Sequence, residues 1–191
     1  MLRYCVWTND TKDPNGVKSE QSQQCPETLR FGYSDTTLGT IAVVESMRGV
    51  VALFIGGDRA KLLCDLKDAF PDAQLVLDQP GTAQTVAKAA ALVDAPHLGT
   101  DLTLDLRGSP VQLAVWEALQ TIPAGKTRTY GAIAQSLPIT ATAQDVGAAC
   151  AANRIAVAVP CHRVVKSGGS LAGYRWGVWR KHRLINMEGV A

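Results

Sequence analysis

Hydrophobic positions in the first half of the chain switch between strand-like and helical spacing. Two β-branched runs separated by Ser46-Met47-Arg48 predict a hairpin, and leucines at helical intervals behind Asp58 predict a capped helix. The predicted elements are strands over 40–45 and 49–55, a helix over 58–70, a strand over 74–78, a helix over 82–93 and a strand over 102–106. This pattern indicates a small α/β domain over 29–105, preceded by a polar leader over 1–28 without periodicity.

The second half, residues 106–191, is predicted to form a mostly α-helical domain. Ser109, Pro110 and Gln112 indicate a helix start, because they supply a serine cap, a first-turn proline and the glutamine of a capping box. Further helices are predicted over 129–137, 142–152 and 178–188. The first two of these resemble a helix-turn-helix, although helical hairpins also occur in proteins that do not bind DNA.

Composition places the chain among globular proteins of a reducing compartment. Its 191 residues are 47% hydrophobic and 19% charged, and no apolar run approaches the roughly 18 residues that span a bilayer. The N-terminal residues lack the apolar core of a signal peptide. Five scattered cysteines argue against a disulfide framework. We therefore expect a cytoplasmic protein without membrane association.

Charge is distributed unevenly along the sequence. Residues 1–105 carry 9 Lys and Arg against 14 Asp and Glu, whereas residues 106–191 carry 10 against 3. A basic half attracts polyanions, of which nucleic acid is the commonest. The alternative is that these basic residues only solubilise the second half.

The predicted helix over 142–152 consists largely of small residues. They are Ala143, Gly147, Ala148, Ala149, Ala151 and Ala152. Small residues allow a helix to pack closely in a core, and they also make it slim enough to enter a minor groove. Composition does not decide between these two interpretations.

A candidate nucleophile lies beside a candidate base in Pro160-Cys161-His162-Arg163-Val164-Val165. A thiol reacts as its thiolate, and a neighbouring imidazole or guanidinium favours that form. An isolated Cys-His pair would more simply be a buried structural cysteine next to a histidine. The wider sequence context favours the chemical interpretation.

Three segments together closely resemble the O6-alkylguanine-DNA alkyltransferases, most strongly the alkyltransferase half of bacterial adaptive-response proteins. These segments are 148–153, 160–165 and 173–177, and the likeness extends from about residue 29 to the end. The resemblance implies a ribonuclease-H-like α/β first domain and a helical second domain with a winged-helix-like helix-turn-helix. It also implies a monomer that repairs double-stranded DNA, without a cofactor, by one irreversible transfer from O6-alkylguanine (and O4-methylthymine) to a cysteine after the nucleotide flips through the minor groove.

The resemblance assigns roles to individual residues. Cys161 would accept the alkyl group, His162 would act on its thiol through a water, and Glu188 would orient the imidazole. Asn153 would link the recognition helix to the active site, and Tyr130 would move the 3′ phosphate and donate a proton to guanine N3. The implied DNA contacts are Tyr130, Gln144, Gly147, Ala148 and Arg163, and the implied substrate pocket contains Tyr174, Arg175 and Cys150.

Glu188 is also conspicuous on physical grounds. It lies at the C-terminal end of the predicted helix over 178–188, where the helix dipole disfavours an anion, and it shares a face with Leu184 and Ile185. Such a carboxylate needs a cationic or hydrogen-bonding partner, for which His162 is a candidate. The alternative is a frayed, solvated terminus. The other histidines, His97 and His182, are predicted to lie on the surface.

One position departs from the family pattern. Gln144 stands where the family usually has an arginine that fills the gap left by the flipped base. We therefore expect slower or weaker repair of duplex DNA, with transfer from a free base analogue less affected. The adjacent Asp145 either repels phosphate or caps the helix together with Thr142.

No metal site is predicted, because Cys5 and Cys25 show no metal-like spacing with His97. Two other functions stay open. A non-catalytic lesion sensor of similar fold would lack the acceptor cysteine, which is present here. A cysteine hydrolase would use Cys161 and His162 but would also need an oxyanion motif, which we do not find.

Overall fold

The strands of the first half form one mixed sheet in a computed structural model that describes residues 26–171 and 173–189. They are β1 Thr28–Thr36, β2 Gly39–Ser46, β3 Gly49–Gly56 and β4 Gln74–Leu77. Their order is β3-β2-β1-β4, in which β1 and β2 pair antiparallel, β2 and β3 pair antiparallel, and β1 and β4 pair parallel. The predicted hairpin is thus confirmed as β2 and β3.

Two helices accompany this sheet, as predicted. They are α1 Arg59–Ala69, capped by the side chain of Asp58, and α2 Ala83–Asp94. Both supply buried residues to the core beneath the sheet, among them Leu62, Leu66 and Val86. Each leucine or valine buried in this way contributes about 1.5–3 kcal/mol to folding.

The central strand β1 was not predicted. The buried Leu29 and Phe31 alternate with the exposed Thr28 and Arg30, as expected of a strand with one face in the core. The predicted leader over 1–28 therefore extends too far, because β1 begins at Thr28. Residues 1–25 lie outside the described part of the chain. The predicted strand over 102–106 is also corrected, because it makes only an isolated bridge between Leu104 and Val50.

The second half contains the predicted helices. They are α3 Pro110–Gln120, α4 Tyr130–Ser136, α5 Ala143–Ala152 and α6 Val178–Met187, together with the short strands β5 Arg128–Thr129 and β6 Val164–Val165, which pair parallel. Both predicted capping pairs are confirmed: Ser109 with Gln112 at α3, and Thr142 with Asp145 at α5. The carboxylate of Asp145 is thus hydrogen-bonded to its own helix cap.

The edge of β3 connects the sheet to the chain that leaves α5. Leu53 donates its N–H to the carbonyl of Arg154 at 2.9 Å, and its own carbonyl accepts from the N–H of Ala156 at 2.9 Å. Buried residues of both halves belong to one continuous hydrophobic core, including Leu53, Ile155 and Leu184. The sheet therefore fixes the start of the segment that carries Cys161. Within the described residues, no helix has the length and apolar character needed to cross a membrane.

Candidate active site

Cys161 opens a short 3₁₀ helix, Cys161–Arg163, at the end of a buried loop from α5. Within this loop Val157 has a φ of 64°, a left-handed conformation that a β-branched residue rarely adopts. Such a residue costs on the order of 1–3 kcal/mol and persists where its surroundings impose it. Here the pairing of Ile155 with Leu53 and the burial of Val157 impose the conformation. The loop is thus held in one arrangement ahead of the sulfur.

Asn153 joins the end of α5 to the cysteine. Its buried side-chain amide donates to the carbonyl of Val159 at 3.0 Å and to Cys161 Sγ at 3.3 Å. Its Oδ1 accepts from the N–H of Ile155 at 2.8 Å. All three bonds lie within the loop, so the asparagine sets the loop's shape and points a donor at the sulfur.

The side chain of His162, the middle residue of the 3₁₀ helix, lies against that of Glu188. His162 Nε2 is 2.9 Å from Glu188 Oε1, and neither side chain is exposed. Arg163 also donates to Glu188, from Nε at 3.0 Å and from Nη2 at 2.8 Å. The predicted partnership of Glu188 with His162 is thus observed in the structure, and the frayed terminus is excluded.

These contacts determine the protonation of the pair. Burial would raise the pKa of Glu188, but hydrogen bonds from His162 and Arg163 outweigh it and lower the pKa to about 2. Burial lowers the pKa of His162 despite the nearby carboxylate. An ionised Glu188 accepts the proton of Nε2, which leaves Nδ1 as the basic nitrogen of a neutral imidazole. Nδ1 has no hydrogen-bond partner within the described residues.

Arg163 was predicted to contact DNA, and this geometry does not support that role. Its guanidinium is engaged by Glu188 and by the carbonyl of Ile122, and its side chain is only 11% exposed. Each of its three nitrogens donates inside the protein, which leaves little of the guanidinium for a phosphate. Its observed role is structural: it belongs to the 3₁₀ helix and binds Glu188.

Lys181 is a residue of this site that the sequence analysis missed. Its side chain is fully buried, and its Nζ donates to the carbonyl of Val164 at 2.6 Å. The signal was present, since Lys181 lies on the same helical face as Leu184, Ile185 and Glu188. His182 and His97 are exposed, as predicted.

The cysteine itself is held as a thiol at rest. Burial raises the pKa of Cys161 to about 11, although the hydrogen bond from Asn153 and the charge of Lys181 both lower it. At neutral pH the thiol form therefore dominates. Reaction at this sulfur requires a base to remove its proton, and the imidazole of His162 is adjacent in sequence.

Cys161 forms part of the wall of a cavity of about 370 Å³ that opens to the surface. The other lining residues are Tyr130, Gly147, Cys150, Ala151, Gly173, Tyr174 and Arg175. The three predicted pocket residues, Cys150, Tyr174 and Arg175, thus meet at the cysteine. Burial raises the pKa of Tyr130 to about 12, so its phenol keeps a proton that it can donate. The volume lies within the range of small-molecule sites.

The outer face of α5 forms the rim beside this cavity. Gln144 and Ala148 are exposed, whereas Val146 and Ala149 face the core, and Trp116 donates from Nε1 to the carbonyl of Ala149 at 2.9 Å. Core packing therefore accounts for the small size of Ala149. Core packing does not account for the small size of the exposed Ala148.

Comparison with known proteins agrees with this arrangement. The family model described as 6-O-methylguanine DNA methyltransferase, DNA binding domain, matches residues 110–190. The chain is 38% identical over 175 residues to the Bifunctional transcriptional activator/DNA repair enzyme Ada of Escherichia coli K12, covering 91% of this chain and 49% of Ada. It thus spans about half the length of that relative.

Two further similarities cover nearly all of the matched protein. The chain is 36% identical over 172 residues to the Methylated-DNA--protein-cysteine methyltransferase of Candida albicans, covering 85% of this chain and 97% of that protein. The crystal structure of Mycobacterium tuberculosis OGT in complex with DNA matches with a TM-score of 0.69 and 32% identity, covering 83% of this chain and 92% of that one. The chain belongs to the methylated-DNA–protein-cysteine methyltransferase family.

Proposed function

We propose that this chain repairs DNA by transferring an alkyl group from O6 of guanine, and from O4-methylthymine, to Sγ of Cys161, once per molecule. The main supporting observation is that Cys161 lines an open cavity and is followed in the 3₁₀ helix by His162, which is paired with Glu188 inside the protein. The cavity supplies room for a base, and the pair supplies a means of removing the thiol proton. Family membership supports the same chemistry.

The first step is activation of the thiol. His162 Nδ1 takes the proton of Cys161 through a water, as the family resemblance implies, and the negative Glu188 stabilises the resulting imidazolium. Asn153 and Lys181 stabilise the thiolate, since both lower the pKa of Cys161. In this proposal the thiol is protonated at rest, and the neighbouring groups favour its charged form when it attacks.

The second step is transfer. The sulfur attacks the alkyl carbon in line, the bond from that carbon to O6 breaks, and its electron pair remains on the guanine. Tyr130 donates a proton to guanine N3, which improves the leaving group. The product is a thioether, which has no hydrolytic route back to the thiol. The protein therefore reacts once, and the step needs no cofactor.

The base reaches the cavity only after leaving the duplex. In the proposal α4 and α5 act as a winged-helix-like helix-turn-helix, and the exposed face of α5 enters the minor groove. Gln144, Gly147 and Ala148 lie against the DNA there, Gln144 occupies the gap left by the flipped nucleotide, and Tyr130 moves the 3′ phosphate. The basic second half attracts the phosphate backbone.

The domain organisation and the oligomeric state are also proposed from the family resemblance. The α/β part over 29–105 is a ribonuclease-H-like domain, the helical part over 106–191 binds DNA and carries the acceptor, and the protein acts as a monomer. Sedimentation of the protein with and without a short duplex tests the last point. A dimer that persists in both conditions contradicts it.

Intact mass after incubation with duplex DNA containing O6-methylguanine tests the function. We expect a gain of one methylene per chain, located on Cys161, and no gain for Cys161→Ala. Cys64→Ala is the matched control, because Cys64 is exposed on α1, and it should react like the unmodified protein. Binding without any mass gain would indicate a lesion sensor, and repeated turnover of an ester would indicate a hydrolase.

A further inference from the structure

A second thiol faces the cavity of Cys161. Cys150 lies in the last turns of α5, is partly buried and lines the same 370 Å³ space. The transfer described above uses only one sulfur. Cys64, the other free cysteine among the described residues, lies on α1 and is exposed.

Asn153 contacts both cysteines. Its backbone N–H donates to the carbonyl of Cys150 at 3.3 Å, and its side-chain amide donates to Cys161 Sγ at 3.3 Å. The pKa of Cys150 is raised to about 12, first by burial and then by the charge of Cys161. The two sulfurs therefore share one electrostatic environment, and Cys150 is a thiol when the site is at rest.

The cavity favours reaction of an alkyl group on Cys161 with the thiol of Cys150 over its reaction with water. Tyr130 and Tyr174 flank the cavity, and Gly147 and Ala151 leave space for an alkyl chain of a few atoms. A tethered electrophile in such a space meets a neighbouring thiol at an effective concentration far above that of a dissolved nucleophile.

We propose that Cys150 is a second acceptor, which captures the far end of bifunctional alkyl groups that Cys161 has removed. The ligand class is a two-carbon group that carries a leaving group, such as a halide, on its second carbon. For its DNA substrate this inference rests on the proposed function.

The chemistry proceeds in three balanced steps. Cys161 Sγ attacks the first carbon of O6-(2-haloethyl)guanine, and the carbon–oxygen bond breaks to release guanine. The thioether sulfur then displaces the halide and forms a three-membered episulfonium ring. Cys150 attacks a ring carbon, the carbon–sulfonium bond opens, and the thiol proton leaves to solvent. The products are an ethylene bridge between the two sulfurs, a halide ion and a proton.

The consequence is protection of the repaired DNA. An episulfonium ion beside a duplex alkylates the nearest nucleophile, which would otherwise be a DNA base or water. Capture by Cys150 confines both reactive carbons to the protein. The site would thereby complete the repair of a lesion that a single thiol converts into a protein–DNA crosslink.

The first test uses 1,2-dibromoethane on the full chain in a background of Cys5→Ser, Cys25→Ser and Cys64→Ser, so that only the two cavity thiols remain. We expect peptide mapping to find Cys150 and Cys161 joined by an ethylene bridge, with both bromides lost. Adding Cys150→Ser should abolish the bridge and leave a hydroxyethyl group on Cys161. Hydroxyethyl product in both proteins would overturn the proposal.

The second test uses duplex DNA containing O6-(2-chloroethyl)guanine. Covalent protein–DNA complexes on a denaturing gel should be rare with Cys150 present and abundant with Cys150→Ser or Cys150→Ala. Equal amounts in all three would overturn the proposal. Alkylation of Cys161 by iodoacetamide verifies that each variant is folded around its site. Failure of methyl transfer from O6-methylguanine, with the dibromoethane bridge intact, would refute the proposed function alone.

Discussion

The side-chain amide of Asn153 donates a hydrogen bond of 3.3 Å to the sulfur of Cys161 and so joins the end of α5 to the nucleophile. The same side chain holds the carbonyl of Val159 and the N–H of Ile155. One residue thus both shapes the loop and influences the charge on the sulfur. Substitution of Asn153 tests its effect on the sulfur.

Asn153→Asp should raise the pKa of Cys161 and slow its alkylation, because a donor is replaced by an acceptor of equal size that carries a negative charge. A hydrogen bond to a charged group is worth about 1.5–3 kcal/mol, so at a fixed pH near 8 the rate with iodoacetamide should fall at least about tenfold. The bond from Ile155 is kept in this variant, whereas the bond to the carbonyl of Val159 is lost together with the bond to the sulfur. A pH profile that coincides with that of the unmodified protein would contradict the assignment.

Glu188→Gln should destabilise the protein and remove part of its acid sensitivity. The folded-state pKa of Glu188 is lowered from 4.5 to about 2, so its contribution is fully present above pH 4.5 and is lost as the pH falls toward 2. A shift of this size corresponds to on the order of 3 kcal/mol.

Urea unfolding between pH 2 and 7 measures this effect. The free energy of unfolding of Glu188→Gln should be lower at neutral pH, because Arg163 loses its buried partner, and should vary less between pH 2 and 4.5. Glu117→Gln, an exposed change on α3, serves as the control and should follow the unmodified protein. Parallel curves for Glu188→Gln and the unmodified protein would count against the buried ion pair.

Lys181→Met should shift the pH profile of Cys161 alkylation upward. The ammonium of Lys181 lowers the pKa of Cys161, and methionine fills similar space without charge. The carbonyl of Val164 loses its donor, which costs about 1–3 kcal/mol of stability, so the thermal midpoint is measured in parallel. Arg183→Met, on the exposed side of the same helix, should leave the profile in place. An unshifted profile for Lys181→Met would remove Lys181 from the site.

Ala148→Gln should weaken binding to duplex DNA without changing stability. Ala148 is exposed, so a longer side chain meets solvent in the free protein but would separate α5 from a minor groove. Ala60→Gln makes the same change on the exposed face of α1. Titration of a fluorescent duplex should show weaker binding for Ala148→Gln alone. Equal affinities for both variants would place DNA elsewhere on the molecule.

Gln144→Arg should accelerate methyl transfer from duplex DNA. An arginine at this exposed position would add attraction to phosphate and to the orphaned base, which glutamine lacks. Transfer from a free base analogue such as O6-benzylguanine should change less, because no duplex has to be opened. Single-turnover rates with both substrates measure the ratio, and an unchanged duplex rate would argue that Gln144 already performs the task.

Local sequence patterns predicted most helices of this fold. The pairs Ser109–Gln112 and Thr142–Asp145 act over three residues, so their capping bonds are decided by the sequence nearby. Strand β1 was missed, and its inner position in the sheet depends on pairing with the adjacent β2 on one side and with β4, 46 residues further along the chain, on the other. The segment around Leu104 shows the opposite error. It was predicted to be a strand, but it forms only one isolated β-bridge.

The sequence by itself determined the chemistry available to this protein: the adjacent Cys161 and His162, the small residues of α5, and a motif specific to one family. Only the tertiary structure decided which basic side chains are buried in the site and which groups they bind. Arg163 and Lys181 are both basic residues of a basic half, yet one binds Glu188 and the other Val164. The reason is physical: a cation buried by packing must find a partner within the protein, and packing depends on segments far apart in the chain.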